Sequence, residues 1–181
     1  MSAIDLVPAF VNTRRISEQV PAGRDLLTCP ADLDRWWHDA GGPGRESTDG
    51  DLELARTLRE GLRAQLATHN DAEIEADAAA LVRFEEATGR LPLRVTAGGE
   101  VVVPTDDAAP PALVAVLAAA VRARMDGSWS RLKICRDPRC REAYRDTSRN
   151  RSRTWCSMEV CGARSKQRAF VDRRRAAELS R

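Results

Sequence analysis

The sequence predicts a mainly α protein of the α+β type. A helical N-terminal domain with one small β-hairpin spans residues 1–130, and a small four-cysteine module ending in a helix spans 131–181. Three observations predict this. Apolar residues recur at helical spacing through most of the first 130 residues. Four of the five cysteines fall in two close pairs, Cys135/Cys140 and Cys156/Cys161. The charge is split: residues 131–181 carry 16 Lys and Arg against 6 Asp and Glu, while residues 1–130 carry 13 against 21.

The elements follow in order. Ala3 to Thr13 is mostly apolar and is interrupted by Pro8, so a short or bent helix is expected. Arg14 to Arg24 reads as a loop with Pro21-Ala22-Gly23 as its turn. Pro30 opens a helix that puts Leu33, Trp36 and Trp37 on one face and stops at Gly41-Gly42. Asp51 to His69 is an amphipathic helix, with Ala55, Leu58, Leu62 and Leu66 as its stripe and Arg56, Arg59, Glu60 and Arg63 off it. Asn70 or Asp71 would cap a second helix over Ala72 to Thr88, with Ile74, Ala78, Leu81 and Val82 inward. Leu91–Thr96 and Val101–Val103 flank Gly98-Gly99 as a hairpin. A helix from about Pro111 carries Leu113, Val114, Leu117, Val121 and Met125 on one face and ends at Asp126-Gly127.

The cysteines are spaced C-x4-C-x15-C-x4-C. Each close pair spans one edge of a tetrahedron, and the intervening loop returns the second pair to the first. Zinc accepts four thiolates at about 2.3 Å, and four leave no position for water, so a single structural zinc is expected. A redox dithiol pair and another metal are the other readings of this spacing. Leu132–Ile134 and Ala143–Arg145 would form a hairpin carrying Cys135 and Cys140. Cys156 and Cys161 would sit at the start of a helix from Met158 to about Leu179, a treble-clef-like arrangement. Four thiolates on one dication leave a formal charge of −2, which Lys133, Arg136, Arg139 and Arg164 would offset.

The remaining basic residues suit a polyanion. Arg149, Arg151 and Arg153 alternate with Ser148, Asn150, Ser152 and Thr154, and guanidinium forks beside small polar groups match phosphate oxygens. On the final helix Arg164, Arg168 and Arg175 share one sector, with Lys166 and Arg173 nearly opposite. Of these, Arg149, Asn150, Arg151, Arg153, Arg164, Lys166, Arg168 and Arg175 are the candidate DNA contacts. A solvated basic helix, or one docked on the acidic first domain, is the competing account.

The cysteine module resembles the CGNR zinc-finger family. The motif falls at Cys161-Gly162-Ala163-Arg164, with alanine in place of asparagine, and the run Asp146 to Arg153 followed by Trp155-Cys156-Ser157-Met158 fits the same pattern. The N-terminal part resembles the ABATE domain through Phe10-Val11-Asn12-Thr13, Asp25-Leu26-Leu27 with the Trp-containing helix after it, and the Leu52 to Leu66 helix. The resemblance implies a bacterial, stress-linked transcription regulator whose finger binds DNA.

Other expectations complete the reading. Asn12, Trp36 and Trp37 are candidates for a small-molecule ligand site in the first domain, against the plainer roles of helix cap for Asn12 and core packing for the tryptophans. That domain would sense a ligand or mediate assembly, for instance as a homodimer. His38 and His69 read as surface residues, and Cys29 as a small buried or capping residue. No Ser/His/Asp set, phosphate-cradling glycine loop or carboxylate pair is present, so an enzyme is not expected. The longest apolar run, Ala108 to Val121, is too short for a bilayer and no signal peptide is visible, which points to a cytoplasmic protein without a membrane. An alternative function is a protein–protein adaptor whose basic module docks on an acidic partner.

Overall fold

The helix α3 (Asp49–Thr68) is the element around which the body assembles. In the computed structural model the described residues are 2–17, 20–43, 46–72, 78–89, 91, 93–98, 101–102 and 110–179. Thr48 caps α3: its hydroxyl accepts from Asp51 N at 3.2 Å, and the Asp51 carboxylate accepts from Thr48 N at 2.8 Å. This reciprocal cap starts the helix two residues before the sequence expectation. The stripe Ala55, Leu58, Leu62 and Leu66 is completely buried.

Around α3 lie α1 (Leu6–Val11), α2 (Pro30–Asp39), α4 (Ala78–Thr88) and α5 (Pro111–Met125). Pro8 sits in the first turns of α1, where its missing N–H costs little. Pro30 is the first residue of α2, with Cys29 at its N-cap position, exposed rather than buried. In α4 the inward residues are Ala80, Phe84 and Ala87, while Val82 is exposed. Of the residues expected to face inward, Leu81 is partly buried and Val82 is not, while Ile74 and the Ala78 side chain lie outside the described residues. In α5, Leu113, Val114 and Leu117 are buried, but so are Ala118, Ala119 and Ala120 around the rest of the circumference. Met125 is exposed, because the helix has by then left the core.

Residues 14–25 correct the loop expectation, and with it the single hairpin. They form β1 (Arg14–Ser17) and β2 (Val20–Asp25), paired antiparallel with Arg14 opposite Asp25. This is a second hairpin beside the expected one, β3 (Arg94–Val95) with β4 (Val101–Val102). The end of the β1–β2 hairpin is anchored by Arg59, expected from its charge to lie off the buried stripe of α3. It is 1% exposed, and its guanidinium donates to both carboxylate oxygens of Asp25 at 2.7 and 2.6 Å and to Thr13 Oγ1 at 3.2 Å. Arg63 is buried likewise, donating to the carbonyls of Val11 at 2.6 Å and Arg14 at 2.7 Å.

The third hairpin, β5 (Leu132–Ile134) and β6 (Ala143–Arg145), has the expected bounds, with Lys133 opposite Tyr144. Its two faces serve different layers. Leu132, Ile134 and Ala143 join the core of the helical body. Tyr144 faces the cysteines. The final helix, α6 (Ala163–Leu179), follows a π-helical turn at Met158–Gly162 and has no buried residue. Among the described residues, no helix is long and apolar enough to cross a membrane.

Candidate metal centre and basic surface

The β5–β6 turn and the start of the last helix bring Cys135, Cys140, Cys156 and Cys161 together, all four sulfurs lying within 4.8 Å of one another. Cys140 and Cys156 are 3.4 Å apart, and Cys156 and Cys161 are 3.7 Å apart. A tetrahedral zinc with bonds of about 2.3 Å needs sulfurs roughly 3.8 Å apart, so the set fits that ion. Electrostatics point the same way. Hydrogen bonds from Cys140 and Cys156 hold the Cys135 thiol down at about 2, as a thiolate. That thiolate holds the proton on its neighbours, pushing Cys140 up to about 12 and Cys156 higher still, while Cys161 is raised first by burial and then by the Cys135 charge. One negative sulfur beside three reluctant ones is what a bound dication relieves.

Backbone hydrogen bonds shape the two knuckles. Asp137 O accepts from Cys140 N at 2.8 Å and from Arg141 N at 3.1 Å. Ser157 O accepts from Cys161 N at 3.0 Å and from Gly162 N at 3.1 Å. A side chain at Gly162 would meet Met158 Sδ at 3.1 Å and Trp155 Cδ1 at 3.3 Å, a tight fit that these two side chains would have to give way to admit. Arg164 reaches back to Cys161 Sγ at 3.7 Å. Ala163 has an exposed side chain, and its backbone N–H closes the turn onto the carbonyls of Met158 and Val160.

Two buried carboxylates, neither singled out from sequence, organise the basic residues. Asp137 is 1% exposed and gathers arginines: Arg168 Nη2 donates to it at 3.2 Å, Arg164 Nε lies 3.4 Å away and Arg139 Nε 3.9 Å. Asp146 is fully buried. It accepts from Lys133 Nζ at 2.7 Å, from Ser148 N and Oγ at 2.9 and 2.6 Å, and from Arg153 N at 3.0 Å. Burial alone would push its carboxyl up, but these bonds outweigh it and hold the carboxyl well below the usual range. Lys133 also donates to the carbonyls of Arg151 at 2.6 Å and Arg153 at 3.2 Å. It therefore serves the loop, not the zinc charge as expected from sequence. Arg131 adds bonds to the carbonyls of Asp146 and Ser148, both at 3.0 Å.

The loop so fixed displays Arg149, Asn150 and Arg151, all exposed. Arg151 takes a left-handed backbone with φ of 53°. Lys166 and Arg175 are exposed on α6. The other candidate contacts face inward. Arg153 donates to the carbonyls of Trp155 and Cys156, with its guanidinium 5.4 Å from the Tyr144 ring centre. Arg164 and Arg168 are held on Asp137.

The proposed ligand trio is not assembled as one site. Asn12 is the C-cap residue of α1, its N–H donating to Pro8 O at 2.9 Å, and its side-chain amide bonds the backbone of Ala143. Trp36 packs on Phe10, with ring centres 5.3 Å apart. Trp37 covers Gly42, where a Cβ would lie 1.9 Å from its ring, and donates to Pro43 O at 2.8 Å. His69 is not an isolated surface residue either: its Nδ1 lies 2.7 Å from Leu132 O. Asn70 donates to Ile134 O at 3.0 Å, Tyr144 Oη at 3.3 Å and Thr154 O at 2.9 Å, instead of capping α4. A cleft of about 330 Å³ lies at this seam, between Asp71 on one side and Arg136, Trp155 and Arg168 on the other.

A four-cysteine structural zinc centre, joined to a helical body and followed by an exposed basic helix, defines a zinc-finger protein. Residues 131–174 match the CGNR zinc finger. Residues 5–126 match the ABATE family, whose description reads "Putative stress-induced transcription regulator". The chain belongs to the ABATE family and carries a CGNR zinc finger at its C-terminal end. A search of curated proteins found no match.

Proposed function

We propose that the protein is a DNA-binding transcription regulator whose zinc module contacts DNA through Arg and Lys. The observation that carries this reading is the loop tip Arg149-Asn150-Arg151, exposed yet braced from beneath by the buried Lys133–Asp146 pair. Holding two guanidinium groups close together on one braced loop has a cost in self-repulsion, and a row of phosphates offsets it. The excess of 16 basic over 6 acidic residues in 131–181 supplies the long-range attraction. The zinc does no chemistry in this role, since four thiolates complete its coordination; it pins the hairpin to the start of α6.

The helical body acts as the sensing or assembly part. Asn12, Arg63 and Asn70 each reach from it to the module, so a shift of α1 or α3 would be felt at the zinc hairpin. Affinity of the zinc-loaded chain for genomic fragments, measured against salt, tests the reading. Binding should weaken steeply as salt rises, and Arg149→Ala and Arg151→Ala should each reduce the logarithmic salt slope by about one. Absence of binding at low salt would refute it.

A further inference from the structure

We propose that Lys166, Phe170 and Arg173 form the base-contacting row of α6, while Arg164 and Arg168 on the other side of the helix only position it. This rests on the DNA-binding reading above and specifies which surface does the reading. Helical geometry separates the two sides. Arg164 and Arg168 lie about 40° apart around the axis, and both are pinned to Asp137, at 3.4 and 3.2 Å. Their side of the helix therefore faces the cysteine knuckle. Arg175 follows on that same side, two turns further along.

The opposite side faces away from the body. Lys166, Phe170, Arg173 and Ala177 fall there within about 60° of arc, flanked by Ala163 and Ala169. All six residues are exposed, Phe170 at 54%. A helix of 17 residues with no buried side chain gains little from its own chain and lacks the packing that normally stabilises one. It is built to be covered.

The chemistry of the row selects the occupant. Small residues at Ala163, Ala169 and Ala177 let the backbone approach closely. Phe170 offers an apolar contact for a thymine methyl, and Lys166 and Arg173 are donors for the guanine edge. Lys166 and Arg173 are about 10 Å apart along the axis, the rise of roughly three base pairs. The helix's two carboxylates, Asp172 and Glu178, lie about 120° off the row. Two copies packed row against row would thus press positive charge on positive charge with no carboxylate between, whereas a DNA groove supplies the complementary sign.

The test uses the zinc-loaded full-length chain and selection from a random duplex library, followed by affinity for the selected and a scrambled sequence. Lys166→Ala and Arg173→Ala should each lower the selected-to-scrambled affinity ratio by about 5- to 150-fold, with little change for the scrambled duplex. Phe170→Ala should lower it specifically at a thymine position. Arg175→Ala removes the same charge from the other side; as a phosphate contact it should weaken binding to both duplexes alike and leave their ratio unchanged. A ratio that responds to Arg175→Ala and not to Lys166→Ala or Arg173→Ala overturns the assignment of the row, as does binding without sequence preference; both leave DNA binding itself standing. A dimer that Phe170→Ser converts to monomer, with the ratio intact, makes the face a self-association surface and also overturns the proposal. Failure of the unmodified chain to bind any duplex removes the DNA-binding reading on which it rests.

Discussion

Asn12, at the end of α1, closes a two-way bridge to Ala143 of β6, 131 residues along the chain. Its Nδ2 donates to Ala143 O at 2.9 Å, and its Oδ1 accepts from Ala143 N at 2.8 Å. The side-chain amide thus does for β6 what a neighbouring strand would do, satisfying both backbone groups of a residue that is only 3% exposed. Asn12→Ala removes both partners and leaves Ala143 N and O unpaired. Denaturant unfolding of the zinc-loaded protein should show a loss of about 2–3 kcal/mol. Asn12→Asp keeps the acceptor but has no donor, so it should recover only part of that loss.

Because Leu132, Ile134 and Ala143 are part of the main core, the zinc site supports the body as well as the finger. Chelation should therefore lower the melting temperature of the whole chain and not simply free its tail. Far-ultraviolet circular dichroism and near-ultraviolet tryptophan signals, followed through heating with and without chelator, should shift together. A body transition unmoved by chelation, with only the tail melting, would contradict this coupling. By the same argument a fragment ending at residue 130 should aggregate, since it lacks the hairpin that covers its core.

The ion pair of Asp25 with the buried Arg59 predicts a pH dependence. Partial burial raises the Asp25 carboxyl, but the Arg59 hydrogen bond, the Leu27 N–H and the Arg59 charge outweigh it, so the folded value lies below the ordinary 3.8. A depressed carboxylate stabilises the fold at pH above the unfolded value, and that contribution is lost as pH falls through the folded one. Asp25→Asn removes the bidentate partner of Arg59 and leaves it only Glu60 Oε1, 3.1 Å from its Nε, so it should cost about 1–2 kcal/mol at pH 7. The difference between wild type and variant should hold from pH 8 to about 5 and narrow below about pH 4. Acid loss of zinc affects both proteins, so the difference between them is the quantity to measure.

Much of this architecture is legible in the chain, and the reasons differ by feature. The zinc ligands show because chelation fixes cysteine spacing locally. The α3 stripe shows because one buried face imposes a helical period. Hairpin β5–β6 shows because its apolar runs flank the cysteine turn. Arg59 and Arg63 do not show: both carry charge, and only the fold supplies the carboxylate and carbonyls that bury them. The first hairpin is hidden because its strands, rich in charge and carrying Pro21 and Gly23, lack an alternating apolar pattern, and its anchor at Asp25 is the distant Arg59. Asn12, Asn70 and Lys133 are likewise defined by partners far along the chain. The helical wheel of α6 separates Arg164, Arg168 and Arg175 from Lys166 and Arg173, yet gives no sign that Asp137 lies beneath the first group.

That carboxylate gives the last prediction. Asp137 links the first knuckle to α6, accepting from Arg139 N at 3.2 Å and Arg168 Nη2 at 3.2 Å, with Arg164 Nε at 3.4 Å. Asp137→Asn keeps the oxygen that accepts from Arg139 N and removes the charge that gathers the arginines. The side chains of Arg164 and Arg168 are 30% and 41% exposed, so water screens part of the attraction and the cost should be only about 1–2 kcal/mol. The location of the effect is the sharper observable. Amides in the first two turns of α6 should exchange hydrogen faster, and limited proteolysis should begin near Arg164 to Arg168, while zinc content stays at one per chain. Loss of zinc at low denaturant would instead show that Asp137 acts on the cysteine knuckle itself. Unchanged exchange in α6 would show that the helix is held by Cys161 and Gly162 alone.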